Sequence, residues 1–308
     1  MFLSNIYLFR FTKPFEITAD ELNDKLKELL FKEPGPQEMS RSGFVPPEMM
    51  RDDYLVRSVD GRLQLTLRTD TKKIPGPVVK AMVKERVEAL EQEQDRKVRS
   101  KEKAEIKEQV IMELLPNTFP QPSLTTGYFD CENGLLVVGE GSAKKAENFA
   151  STIRKVLGSL PVRPIAFEQS PTFTLTSMLN GSTPFGDKFA AGHKVVLKDP
   201  AESKCKVSID NLDLFSEEVQ KHLETGMQVA KIDLIWNDQI RFSTDTLSIK
   251  GIKFEEDLNE QLDDIEGDER SYYDAMFSLY VTTITEMIDD FIEWMGGEDR
   301  TAIVEEDA

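Results

Sequence analysis

The sequence predicts an α+β fold: antiparallel sheets with packed helices, a projecting basic helical pair and a C-terminal amphipathic helix. Three observations predict it. The turn signals Asp60-Gly61 and Glu132-Asn133-Gly134 each lie between segments of strand character, which makes antiparallel hairpins. The order strand, helix, hairpin, helix, hairpin, helix lacks the βα alternation of a parallel sheet. Tyr273 to Met295 has apolar residues at 273, 276, 277, 280, 281, 284, 287, 288, 291, 292 and 295, a 3.6-residue stripe closed by Gly296-Gly297.

In chain order, residues 2–11 alternate as a first strand, and Thr18 opens a helix as N-cap with Glu21 at the capping-box position. Leu22, Leu26, Leu29 and Leu30 share one face of that helix, and Pro34-Gly35-Pro36 stops it. Pro46 and Pro47 make residues 42–48 a rigid loop. Tyr54–Val59 and Arg62–Arg68 form the first hairpin, in which Leu63, Leu65 and Leu67 define a buried face and Gln64, Thr66 and Arg68 a wet one. Val79, Val83, Val87 and Leu90, then Ile106, Val110 and Leu114, have helical spacing, while between Leu90 and Ile106 only Val98 and Ala104 are apolar. Two helices follow, roughly 77–98 and 101–115, turning near Ser100, which can cap the second. Ser142 caps a helix running to Leu157. Strands near 194–198 and 204–209 precede a helix from Ser216 to Glu224, and Val229–Trp236 and Gln239–Phe242 meet through Asn237-Asp238. The expected division is 1–75 with 120–175 as a central α+β domain, 76–119 as a projecting basic helical tip, and 176–308 as a C-terminal α+β base.

Charge is segregated along the chain. The total is −18 over 308 residues, yet residues 255–308 hold nineteen acidic and two basic residues, leaving 1–254 near neutral. Between Lys72 and Lys107 eleven Lys or Arg stand against seven Asp or Glu. Such segregation, not the overall pI, decides whether a polyanion can be met. No apolar run is long enough for a membrane helix, and the N-terminus reads as a strand and not as a signal peptide. Cys131 and Cys205 form no CxxC pair and, with only His193 and His222 beside them, suggest neither zinc nor disulfides but a reducing cytoplasm.

Enzymatic motifs are missing: the sequence has no GxxxxGK[ST], GxGxxG, GxSxG or HExxH, so no cofactor or metal is expected. Asp130 with Glu132, or the acidic run Glu255 to Asp264, offers paired carboxylates, a pattern more often found on solvated faces. The basic helices have two readings. Lys84–Glu88 has the i,i+4 spacing of an ordinary solvated helix. The same lysines suit contact with a phosphate backbone, sequence-tolerant and salt-dependent, since nothing resembles a reader of base edges. Lys144, Lys145, Arg154, Lys155 and Arg163 form a second basic cluster. The terminal helix is equally readable as core or as cover for a partner subunit. The acidic residues 255–308 allow a different function, a protein-interaction module or DNA mimic that engages basic partners.

GFVPP (43–47), KKIPGPVVK (72–80), LLPNTF (114–119), NGLLVV with SAKKAE (133–147), LGSLPVRP (157–164) and SEEVQKHLETG (216–226) together resemble the RdgC family of recombination-associated proteins. The resemblance implies a nucleoid-associated, cytoplasmic, non-enzymatic homodimer. Its ring, closed at two contacts, admits double-stranded DNA without sequence preference and restrains the RecA recombinase indirectly through shared DNA. It places Lys73, Arg96, Lys97, Lys144 and Lys145 at matching basic positions. The expected DNA contacts also include Lys80, Lys84, Arg86, Arg99, Lys101, Lys103 and Lys107. Phe119 matches an aromatic that serves ring closure, and Phe277, Tyr280 and Phe291 are expected at a dimer contact. Asn117, Asn211 and Met227 stand where the family commonly has Arg or Lys, each one charge fewer for a phosphate backbone.

Overall fold

The computed structural model describes residues 3–47, 54–202, 204–245, 248–255 and 269–301. Strand β1 (Asn5–Phe11) is apolar on both faces: Ile6 and Leu8 join one core, Tyr7, Phe9 and Phe11 another. A strand of that kind belongs inside a sheet covered on both sides. The capping box predicted at Thr18 and Glu21 starts α1 (Ala19–Leu26), which ends in a single 3₁₀ turn at Leu29. Then come β2 (Ser40–Val45), β3 (Val56–Val59) and β4 (Arg62–Lys72). The β3–β4 turn is tight because Asp60 and Gly61 both take positive φ, 47° and 75°.

Between β4 and β5 (Pro120–Asp130) lie α2 (Gly76–Gln94) and α3 (Ser100–Leu114). The rest comprises β6 (Leu135–Val138), α4 (Ala143–Leu157), β7 (Val162–Pro164), α5 (Pro171–Leu179), β8 (Phe189–Lys198), β9 (Lys206–Asp210) and α6 (Glu217–Glu224). The chain continues with β10 (Gln228–Trp236), β11 (Ile240–Thr244), β12 (Ser248–Phe254) and α7 (Glu269–Trp294). The strands form one antiparallel sheet in the order β2-β4-β5-β6-β1-β12-β11-β10-β8-β9, with β3 on β4 and β7 on β1. Because β1 pairs with both β6 and β12, the sheet runs unbroken across the boundary expected at 176.

Two cores pack on this sheet. α1 and α4 cover one face through Leu22, Leu26, Phe149 and Ile153. On the other, α7 lies with Ile284, Met287, Ile288 and Phe291 against β8, β10 and β11. This overturns the wet face expected for β4: Gln64 and Thr66 are buried like the leucines between them. Their neighbours explain why, since Arg57 lies 4.2 Å over the Tyr273 ring and Tyr128 meets Phe277 edge-on at 5.9 Å. The loop expected at 42–48 is likewise corrected. Residues 40–45 pair with β4, helped by Ser42–Thr69 and Ser40–Thr71 hydroxyl bonds of 2.8 and 3.0 Å. Gly43 lets the Phe31 backbone approach so closely that a Cβ would run into it.

The terminal helix resolves in favour of core. Phe277, Tyr280 and Phe291 are 7%, 2% and 2% exposed. Phe291 packs on Phe167, Phe189 and Phe242, Tyr280 on Phe254, and the Tyr280 hydroxyl donates to the Leu3 carbonyl at 2.8 Å. Their rings are covered by the chain itself, so the dimer contact expected of them has no exposed surface to use. No described helix is long and apolar enough to cross a membrane.

Candidate nucleic-acid interface

β4 and β5 pair from Arg62↔Asp130 to Lys72↔Pro120, so residues 73–119 leave the sheet and return to it at one point. α2 and α3 are therefore a helical hairpin carried on the end of the β4–β5 pair, with β2 alongside β4. They bury little: Val79, Val83 and Val110 make a small core of their own, edged by Ile74, Met82, Val87, Ile106, Ile111 and Leu114. The helices break earlier than expected. α2 ends at Asp95 in the left-handed region (φ 46°), and Arg99, not Ser100, is the N-cap of α3.

Two glutamates hold this turn. Glu91 accepts from the Val98 amide at 3.0 Å and from Lys97 Nζ at 2.9 Å. Glu102 accepts from the Arg99 amide at 2.9 Å and from both terminal nitrogens of Arg96. The Arg96 guanidinium is the first reason that the Glu102 carboxyl is lowered to about 2, and the Arg99 amide the second. A depressed folded value stabilises above the ordinary carboxylate range, and that contribution is lost as pH falls toward about 2. Amide-exchange protection at Val98, Arg99 and Lys103 should accordingly decline between pH 5 and pH 2. In Glu102→Gln it should already be low at pH 5 and change little.

The expected DNA residues fall into two groups. Arg86 forms a bidentate pair with Glu113 across the two helices, Arg96 and Lys97 staple the turn, Lys84 reaches Glu88 at 3.7 Å, and Lys145 reaches Glu140 at 3.2 Å. Lys73, Lys80, Arg99, Lys101, Lys103, Lys107 and Lys144 are exposed and make no ion pair among the described residues. Lys72, which begins the basic stretch, is buried, its ammonium donating to the Gly35 and Pro36 carbonyls at 3.0 and 2.9 Å.

Four of the unpaired lysines converge. Lys73, Lys80, Lys103 and Lys107, with Lys84, rim a groove of about 1160 Å³ whose floor is Ile74, Val79, Val83, Val87 and Ile111. Met39, from the segment before β2, closes one wall, and no periodic pattern in the sequence could have announced it. Glu88 and Glu91 are the acidic members, leaving the rim net positive. Lys144 and Lys145 sit apart at the start of α4 and do not line the groove.

Apolar exposure gathers at the same end. Met39, Val78, Met112, Phe119 and Leu124 are among the exposed large apolar side chains, Phe119 at 89% the most exposed of them. Of the three expected basic positions held by neutral residues, Met227 is buried, so no surface charge is missing there. Asn211 sits at φ 58°, a left-handed turn position that Asn tolerates. Asn117 is exposed in the 3₁₀ turn before Phe119.

No group of three or more His, Cys, Asp or Glu among the described residues is placed to hold a metal ion. The run Glu255 to Asp264 lies, except for Glu255, outside the described residues. Residues 1–298 match the family model described as "Putative exonuclease, RdgC". Among curated proteins, the chain is 36% identical over 301 residues to the "Recombination-associated protein RdgC" of Tolumonas auensis, covering 97% of this chain and 99% of that one. It is 36% identical over 304 residues to the protein of the same name from Aeromonas hydrophila, covering 98% and 100%. With that of Yersinia pestis it shares 34% over 303 residues, covering 97% and 99%.

Proposed function

The chain belongs to the RdgC family, and on that premise we propose that it binds double-stranded DNA without sequence preference and acts in homologous recombination. The observation that carries this is the convergence of Lys73, Lys80, Lys103 and Lys107, unpaired, around one groove of the α2–α3 hairpin. Unpaired lysines on exposed helix faces can each release a counterion from a phosphate, the main source of non-specific affinity. Arg96 and Lys97 add to it conditionally, because exposed ion pairs are weak enough to exchange for phosphate. The protein works as a homodimeric ring around the duplex, with the exposed Phe119 as one of its two self-contacts. It restrains the RecA recombinase by occupying shared DNA, within the nucleoid of the cytoplasm. No catalytic step is assigned to it.

The acidic module is less favoured by the described part of residues 255–308. Glu298 forms a bidentate pair with Arg10, Asp290 accepts from Trp236 Nε1 and pairs with Lys188, and Asp274 lies 3.5 Å from Arg57. These carboxylates are engaged within the chain.

A salt-challenge retention assay tests the proposal. Protein bound at low salt should stay longer on closed circular plasmid than on the same plasmid linearised, because a ring leaves a circle only by opening. Equal retention on both would remove the ring, and no binding to either at low salt would remove the DNA reading altogether.

A further inference from the structure

The turn that joins α2 to α3 lies farthest along the hairpin from the sheet, and it is built from opposed charges. Glu91 divides its two oxygens. Its Oε1 accepts from the Val98 amide at 3.0 Å and its Oε2 from Lys97 Nζ at 2.9 Å. Glu102 is arranged in a similar way. Its Oε2 accepts from the Arg99 amide at 2.9 Å and from one terminal nitrogen of Arg96 at 2.8 Å, and its Oε1 accepts from the other at 2.5 Å. Each carboxylate therefore holds one main-chain N–H and one cation at once. The amide bonds do not need the cations: with Lys97 and Arg96 gone, Val98 and Arg99 keep their acceptors.

The layering is one-sided. The Lys97 side chain is 91% exposed and that of Glu91 22%, while Arg96 and Glu102 are 43% and 31% exposed. The cations face solvent and the carboxylates lie beneath them, against the backbone. A polyanion arriving from solution meets the cations first. Glu91 also lines the groove with Lys103, so the turn continues the lysine rim. Both carboxylates stay ionised at neutral pH. The Lys97 ammonium and then the Val98 amide hold Glu91 below the ordinary carboxylate range, as Arg96 and then the Arg99 amide do for Glu102.

We propose that Glu91 and Glu102 are built-in competitors of DNA phosphate. They hold Lys97 and Arg96 in the free protein and release them to the backbone when a duplex occupies the groove, a step that rests on the DNA binding proposed above and adds how the turn takes part in it. The exchange has a thermodynamic signature. An unpaired lysine releases a counterion from the DNA as it meets a phosphate, so its contribution falls with salt. Lys97 and Arg96 release counterions too, but each carboxylate left behind takes up a cation from solution. Uptake largely offsets release, and the turn adds affinity that changes little with salt. The rim lysines thus dominate at low salt, and the turn retains part of the binding as salt rises.

Filter binding of a short duplex across a salt series tests this. Glu91→Gln combined with Glu102→Gln should raise affinity about fivefold at roughly 0.05 M salt, the effect of opening two exposed ion pairs in advance. It should also steepen the log–log salt slope by about 1 to 2, because two phosphate contacts lose their offsetting uptake. Glu105→Gln removes an exposed acid of α3 that has no ion pair among the described residues, and it should leave the slope unchanged. A second arm leaves both glutamates in place. Arg96→Ala with Lys97→Ala should weaken binding yet flatten the slope far less than Lys103→Ala with Lys107→Ala, for which about 1.8 is expected. A glutamine pair that lowers affinity makes the carboxylates mere staples of the turn and overturns the proposal. An unchanged slope in that pair, or equal flattening by the two alanine pairs, overturns it as well. In all three outcomes the wild type still binds duplex, and the DNA reading stands. No binding by the wild type at low salt overturns both.

Discussion

Replacing Lys80, Lys103 and Lys107 together by alanine is expected to weaken duplex-DNA binding by about a hundredfold at roughly 0.15 M salt. It should also flatten the log–log salt dependence by about 2.7, some 0.9 for each phosphate no longer neutralised. All three side chains are exposed and on the rim of one groove, and no ion pair among the described residues is broken when they go. Alanine keeps the helices intact, since it is the best helix former. Arg86→Ala is the contrasting variant. It removes the same charge but leaves Glu113 without its inter-helix partner, so it should loosen the hairpin more than it alters the salt slope. Filter binding of a short duplex across a salt series measures both quantities. An unchanged slope in the triple variant would place the DNA elsewhere on the protein.

How far the sequence could be read depended on the range of the interaction that decides each element. The Asp60-Gly61 turn and the Thr18–Glu21 box are settled within four residues, and both stand as predicted. The two basic helices were legible from spacing, and their charge from counting. Which charges are free was not legible, because that depends on partners six and twenty-seven residues away: Glu102 for Arg96, Glu91 for Lys97 and Glu113 for Arg86. Lys72 shows the same limit, since only the fold brings the Gly35 and Pro36 carbonyls to its ammonium. The wet face expected of β4 failed for a related reason: alternation of apolar and polar residues signals two environments, and a helix from the far end of the chain closed the second. β2 was hidden by the prolines that follow it, although they come after the last paired residue.

The terminal helix gives the sharpest test of core against interface. Phe291→Ala should destabilise the folded chain by about 3–5 kcal/mol, the usual cost of emptying a buried phenylalanine site. Its ring touches Phe167, Phe189, Phe242 and Trp294, all within the same chain, so nothing refills the cavity. Because that packing is intramolecular, the shift in the denaturant midpoint should not depend on protein concentration. Phe119→Ala should behave in the opposite way. Its side chain is exposed, so chain stability should change by no more than about 0.5 kcal/mol. Retention on circular DNA should nevertheless fall, if Phe119 closes one of the ring contacts. Urea titrations at two protein concentrations separate the cases. A Phe291→Ala chain as stable as the wild type but reduced to a monomer would return that face of α7 to the dimer interface. It would require the aromatic cluster to be shared between two copies, where the structure shows it filled from within one.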